Sequence, residues 1–135
     1  MGDDKRKQIL AIDDDVSVCD MYEQGLPALG YGVHCVNDAK SAKAYLTKNK
    51  PDLILLDVMM PEQDGISLAR EIRSHPDTAH IPIITVSGLA DAATLNDALL
   101  FGAVDYLVKP FDIDVLKLKL ERALTLVDRR KKKTQ

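Results

Sequence analysis

The stretch Leu53-Ile54-Leu55-Leu56-Asp57-Val58-Met59-Met60-Pro61 constrains the fold more than any other part of the chain. Four consecutive aliphatic residues read as a strand buried on both faces, the pattern of a central strand in a parallel sheet. The run stops on a carboxylate, and Pro61 blocks simple continuation of either strand or helix. An aspartate at the C-terminal end of such a strand stands where open α/β sheets place their ligands. Asp57 is thus the first candidate nucleophile.

The rest of the chain alternates around it. Strand-like runs cover Gln8 to Ile12, Val33 to Val36, Leu53 to Leu56, Ile83 to Ser87 and Asp105 to Val108. Helix-like stretches follow each of them. The first starts near Val16 with Val18, Met21, Tyr22, Leu26 and Leu29 at helical spacing, and Gly25 and Pro27 are expected to loosen or kink its end. Asn37 or Asp38 can cap the second, whose apolar side is Ala42, Tyr45 and Leu46. The third begins at Gly65 with Ile66, Leu68, Ala69 and Ile72 inward. The fourth runs from about Asp91 to Phe101 and stops at Gly102. The fifth, capped by Asp112, turns Ile113, Leu116, Leu120, Ala123, Leu124 and Val127 to one face. Such (βα)₅ alternation with short links predicts a doubly wound, flavodoxin-like α/β fold. Its five-stranded parallel sheet would have the order 2-1-3-4-5, with helices on both faces.

A length of 135 residues suits one domain with a real core. The expected division is a tail over 1–6, the domain over 7–127 and a basic tail or linker over 128–135. Arg129 to Lys133 hold five of the 18 basic residues, which leaves 13 against 21 acidic ones elsewhere, a balance of −8. An acidic body of this kind argues against direct nucleic-acid binding. Cys19 and Cys35 lack CxxC spacing and read as buried reduced thiols. The three histidines show no metal-ligand spacing. Residues 1–7 contain no apolar core for a signal peptide, Arg6 breaks a myristoylation pattern, and no run reaches membrane-spanning length. A soluble, cytoplasmic protein without membrane contact is expected.

Parallel strands share a direction, so their C-terminal ends lie on one edge. Those ends carry Asp13 and Asp14, Asp57, Ser87 and Lys109. In the expected order the first and third strands flank the topological switch point, which crowds three carboxylates together. Their repulsion would raise at least one pKa unless a cation intervened. A hard divalent ion with oxygen ligands removes the conflict, and Mg²⁺ fits best. Lys109 offers a mobile charge to a phosphoryl oxygen, and Ser87 a hydroxyl. In-line phosphoryl transfer needs a placed nucleophile and charge stabilisation, and carboxylates do accept phosphoryl groups. Taken singly, each residue has a plainer reading. An acidic triplet complements a helix N-terminus, an aspartate caps a helix, and Lys-Pro-Phe makes a turn. The common edge is what favours chemistry.

Four motifs in order, Ile12-Asp13-Asp14-Asp15, Leu55 to Gly65, Ser87-Gly88 and Gly102 to Phe111, resemble a response-regulator receiver domain over about residues 7 to 127. The resemblance implies that Asp57 accepts a phosphoryl group from the phosphohistidine of a sensor histidine kinase or phosphotransfer protein. It implies Mg²⁺ on Asp13, Asp14 and Asp57 with the Met59 backbone carbonyl, and a cis Lys109–Pro110 bond. It also implies a switch in which Ser87 moves toward the phosphoryl oxygen and Tyr106 turns inward. The surface of the fourth helix, fifth strand and fifth helix would then repack for a downstream target or a second copy. The chain would be a signalling phosphoacceptor that assists its own phosphorylation and dephosphorylation rather than an enzyme. Ser87 for the commoner threonine, Gln63 for the frequent methionine, and Gly25 with Pro27 depart from the family pattern. None of these touches the phosphorylation chemistry.

A haloacid-dehalogenase-type phosphatase shares the strand-end aspartate, Mg²⁺ and lysine, but needs a second aspartate where this chain has Met59. A flavodoxin-like flavin carrier would want a neutral phosphate loop in place of Asp13-Asp14-Asp15. A purely structural pseudo-receiver usually lacks part of the acidic set present here. Val115, Leu118 and Leu126 lie off the core face of the last helix and suggest a contact surface, possible in a homodimer.

Overall fold

The computed structural model describes residues 5–60, 65–88 and 102–133. Five strands, β1 (Gln8–Ile12), β2 (Gly32–Val36), β3 (Leu53–Asp57), β4 (Ile83–Gly88) and β5 (Asp105–Lys109), form one parallel sheet in the order β2-β1-β3-β4-β5. Helices α1 (Val16–Ala28), α2 (Ala39–Lys48), α3 (Gly65–Ser74) and the C-terminal α4 (Ile113–Lys133) cover it. The helix expected over 91–101 lies outside the described residues. The flavodoxin-like topology is as the alternation predicts.

Period-two alternation divides the sheet's side chains between two cores. Ile9, Ala11, Leu53, Leu55, Ile84, Val86 and Leu107 face α1 and α4, meeting Tyr22, Leu26, Leu116 and Leu120. Leu10, Ile12, Ile54, Leu56 and Ile83 face α2 and α3, meeting Ala42, Leu46, Leu68 and Ile72. Every residue of β3 is buried, as its unbroken aliphatic run requires. Each large aliphatic withdrawn from water contributes about 1.5–3 kcal/mol, so this strand is the most costly to displace. At the opposite edge from the carboxylates, the Asp52 side chain accepts from the Gln8 backbone N–H at 2.7 Å and sets the register of β1 on β3.

Asp15 caps α1, and Asp38, one of the two expected candidates, caps α2, both through their carboxylates. Other local expectations change. Gly25 and Pro27 do not loosen α1: the helix continues to Ala28, and the Leu29 N–H reaches the carbonyls of Gly25, Leu26 and Pro27. Leu26, fully buried, anchors that turn to the core. Gly25 serves a close approach, since a Cβ there would stand 2.8 Å from Ile113 Cδ1 of α4. Ile113 is 38% exposed, so the first residue of the expected inward face lies at its margin. The C-terminal helix runs through Lys133 and carries the basic run in its last turns. Gly102 takes φ +92°, the left-handed conformation that glycine adopts without strain.

The cysteines need a larger correction. Cys19 and Cys35 are joined as a disulfide with Cα atoms 5.9 Å apart. Cys35 pairs with Ala11 in the β1–β2 register, and the small Ala11 side chain lets α1 settle close enough for Cys19 to reach it. Sixteen residues separate the two in sequence, and no short-range spacing reports that meeting.

The two close-approach glycines should respond differently to alanine. At Gly65 a Cβ would lie 2.4 Å from the Asp57 carbonyl oxygen and 2.5 Å from Val58 Cα, both backbone. Gly65→Ala is expected to destabilise by about 1–3 kcal/mol in urea denaturation, as overpacking against fixed atoms does. Gly25→Ala meets only the end of a flexible side chain and should stay within about 1 kcal/mol, because alanine is the better helix former by a similar amount.

Candidate functional site

The carboxylates at the ends of β1 and β3 converge. One oxygen from each of Asp13, Asp14 and Asp57 lies within 4.8 Å of the others. Asp13 and Asp57 are buried, whereas Asp14 is exposed and leaves the cluster open on one side. Lys109 arrives from the end of β5: its Nζ stands 2.8 Å from Asp13 Oδ2 and 3.6 Å from Asp57 Oδ2. Beyond that ion pair Asp13 Oδ2 accepts no hydrogen bond among the described residues. The Lys109–Pro110 peptide bond is cis.

Backbone donors orient the two buried acids. The Asp15 N–H donates to Asp13 Oδ1 at 2.9 Å, and the Met59 N–H donates to Asp57 Oδ1 at 3.0 Å. Asp57 Oδ2 therefore remains turned to the cluster. The Gly65 N–H donates to the Val58 carbonyl at 3.0 Å, bringing the start of α3 against the end of β3. Gly65 and Asn37 are the positions that sequence reasoning undervalued. Asn37 Nδ2 donates to the Asp13 carbonyl at 3.0 Å, and the Asp13 N–H donates to Val36 at 3.1 Å. The end of β2 thus grips Asp13 from both sides. Asn37 was legible only as a possible helix cap.

The other expected members make contacts of their own. Ser87 is fully buried at the end of β4, one residue past Val86, the partner of Asp57, and its Oγ donates weakly to the Gly88 carbonyl at 3.4 Å. Tyr106 is 38% exposed on β5, with the Lys119 ammonium 4.6 Å over its ring. Asp105 holds that ammonium at 2.8 Å. Thr85, the register partner of Tyr106, keeps a fully buried hydroxyl with no hydrogen-bond partner among the described residues. Met59 points an exposed apolar side chain outward.

One ammonium does not neutralise three carboxylates. Burial, followed by the Asp13 charge and contact with Asp14, pushes Asp57 up to about 7, while the Met59 N–H and Lys109 pull the other way. Burial opposes the charge of Lys109, but its hydrogen bond and attraction to Asp13, and then Asp57, raise its pKa overall. An all-oxygen donor set of this charge, partly open to solvent, suits a hard divalent cation. The residues fit Mg²⁺.

The shift of Asp57 has a sign for stability. Its folded pKa lies above the ordinary 3.8, so the folded chain keeps a proton that the unfolded chain releases. The contribution is fully present below about pH 4 and fades as pH rises through about 7. In chelator-treated buffer, urea stability should fall by about 1–3 kcal/mol across that window. Asp57→Asn should flatten the profile, whereas an equal slope in both proteins removes Asp57 as its source.

Comparison with known proteins agrees with this geometry. Residues 9–121 match the response regulator receiver domain family. The chain is 38% identical to the regulatory protein AtoC of Escherichia coli over 92% of its own length, which is 26% of that protein. It is 34% identical to the probable transcriptional regulator ycf27 of Porphyridium aerugineum over 93% of its length, 51% of that protein. The chain thus spans about a quarter to a half of these curated relatives. Among solved structures, a putative response regulator from Chloroflexus aurantiacus superposes with TM-score 0.86 at 33% identity, covering 90% of this chain and 99% of that one. The receiver domain of a signal transduction histidine kinase from Syntrophus aciditrophicus does so with TM-score 0.83 at 33% identity, covering 91% and 93%. With its fold, its strand-end acids and its matched residues all in agreement, the chain belongs to the response regulator receiver domains of two-component signalling.

Proposed function

We propose that Asp57 is the phosphoryl acceptor of this receiver domain and that Asp13, Asp14, Asp57 and the Met59 backbone carbonyl hold Mg²⁺ beside it. The convergence of Lys109 on Asp13 and Asp57, at 2.8 and 3.6 Å, carries this reading. Asp57 Oδ2 attacks phosphorus while the imidazole of the donor phosphohistidine departs. The Met59 N–H holds the other oxygen and fixes the attack direction. Lys109 leaves Asp57 for an oxygen of the transferred group, retaining Asp13 as its anchor. Mg²⁺ held by Asp13, Asp14 and Asp57 would supply the positive charge that offsets these carboxylates and the phosphoryl oxygens. The same site accelerates gain and loss of the phosphoryl group, and this assistance, rather than turnover of an external substrate, is its catalysis. With Met59 where a phosphatase carries its general acid, no side chain there can protonate a leaving alcohol.

The donor is a sensor histidine kinase or a phosphotransfer protein, in the cytoplasm. No described helix is long and apolar enough to cross a membrane. The domain proper covers residues 7–127, and the basic residues that follow continue the last helix as far as Lys133. Ser87 and Tyr106 form the switch. Ser87 turns toward the new phosphoryl oxygen, and Tyr106 leaves Lys119 for the interior beside its register partner Thr85. The output surface comprises β5 and the exposed Val115, Leu118 and Leu126 of α4, and the helix expected over 91–101, its remaining member, lies outside the described residues. This surface docks a downstream target or a second copy of the chain. The acidic body makes direct nucleic-acid binding an improbable output.

Mass spectrometry after acetyl phosphate and Mg²⁺ should show one added phosphoryl group, absent from Asp57→Asn. Equal gain by the mutant, or none by the wild type, refutes the assignment. Lys109→Ala should slow phosphorylation at least about tenfold, as loss of a charge at a developing phosphoryl oxygen does. In sedimentation, a phosphoryl mimic should convert monomer to dimer, and Leu118→Glu should prevent it. A monomer throughout removes the dimer.

A further inference from the structure

The acidic pocket has a covalent brace. Cys19, in the first turns of α1, is bonded to Cys35 of the edge strand β2. The next two residues of that chain segment are the ones that grip Asp13: Val36 accepts its N–H, and Asn37 donates to its carbonyl. Asn37 Nδ2 also lies 3.4 Å from Cys19 Sγ, and Cys19 Sγ lies 3.5 Å from the Asp13 carbonyl. Sulfur, amide and carbonyl form one cluster directly behind a cation-binding carboxylate.

We propose that Cys19 and Cys35 are a reversible dithiol–disulfide site whose oxidised form braces Asp13 for cation binding. The functional consequence rests on the receiver reading above, but the redox chemistry does not. Cys35 is half-buried on an edge strand and Cys19 is buried, so exchange begins at Cys35. Its thiolate attacks a small-molecule disulfide such as oxidised glutathione, forming a mixed disulfide and releasing one thiolate. The Cys19 thiolate then attacks the Cys35 sulfur and releases the second. The two cysteines lose two electrons and two protons, the donor disulfide takes up both, and two molecules of free thiol result.

Reduction changes the pocket in two ways. Sulfur atoms that are no longer bonded must stand farther apart, which widens the gap between α1 and β2 and moves Val36 and Asn37 relative to Asp13. Cys19 also regains an S–H, which competes with Asn37 for the Asp13 carbonyl at the present 3.5 Å spacing. Both effects loosen a ligand-bearing residue held by outer partners, and such partners govern metal affinity. In a reducing compartment, disulfides that do form are characteristically redox-sensing or catalytic.

The test uses the full chain equilibrated in glutathione buffers of varied oxidation, acid-quenched, alkylated and weighed by mass spectrometry. An intramolecular disulfide should form and disappear reversibly as one two-electron step. Calorimetry with Mg²⁺ alone should then show binding about tenfold weaker in the reduced chain, the lower end for an outer-partner loss. Cys35→Ser and Cys19→Ser should bind Mg²⁺ as the reduced chain does and form no intramolecular disulfide in any glutathione buffer. Full alkylation in oxidised glutathione, a disulfide only between chains, or Mg²⁺ binding equal or tighter on reduction would each overturn the proposal. Failure of Asp57 to accept a phosphoryl group in either state would sink the receiver reading instead and leave the alkylation result standing.

Discussion

Three carboxylates and one ammonium in a space of a few ångströms set the terms for the rest of the molecule. Asp13, Asp14 and Asp57 repel one another, and Lys109 offsets only part of that charge. Left to itself, a loop bearing these acids would spread them into water. They stay together because each is fastened to the end of a buried strand, and the burial of β1 and β3 outweighs the repulsion at their tips. The conflict is stored in Asp57, which burial and Asp13 push toward neutrality. The acids that fit Mg²⁺ are thus already gathered.

Positioning depends on backbone more than on side chains. Asp57 is aimed by the Met59 N–H, Asp13 by the Asp15 N–H and by the end of β2, and α3 starts against β3 because Gly65 lacks a Cβ. Lys109 is delivered by β5, whose pairing with β4 brings Gly88 beside it. The elements proposed as the switch are held by weaker means. Tyr106 rests against the Lys119 ammonium at its exposed face, and the Thr85 hydroxyl beside it has no hydrogen-bond partner among the described residues. A strong constraint fixes the acids, and weak ones hold the surface proposed to respond.

Much of this was legible in the chain. The β3 run and the helical periodicities specify elements within a residue or so of those observed, and strand direction then gathers Asp13, Asp14, Asp57 and Lys109 by topology alone. Errors fell where a residue's role depends on a distant neighbour. Gly25 and Pro27 read as weak points of α1, yet Gly25 accommodates Ile113 from the far end of the chain. Asn37 reads as a cap, whereas its amide joins Asp13 to Cys19.

The sequence by itself determined the parallel α/β fold, the common edge and the identity of the acids, because these follow from periodicity and from where apolar runs stop. Only the tertiary structure decided that Cys19 meets Cys35, that Asn37 and Gly65 shape the pocket, and that Tyr106 stands outward under Lys119. Those facts arise from register and from the distance at which a helix settles on the sheet. Both are sums over many side chains, and no short stretch of sequence encodes them.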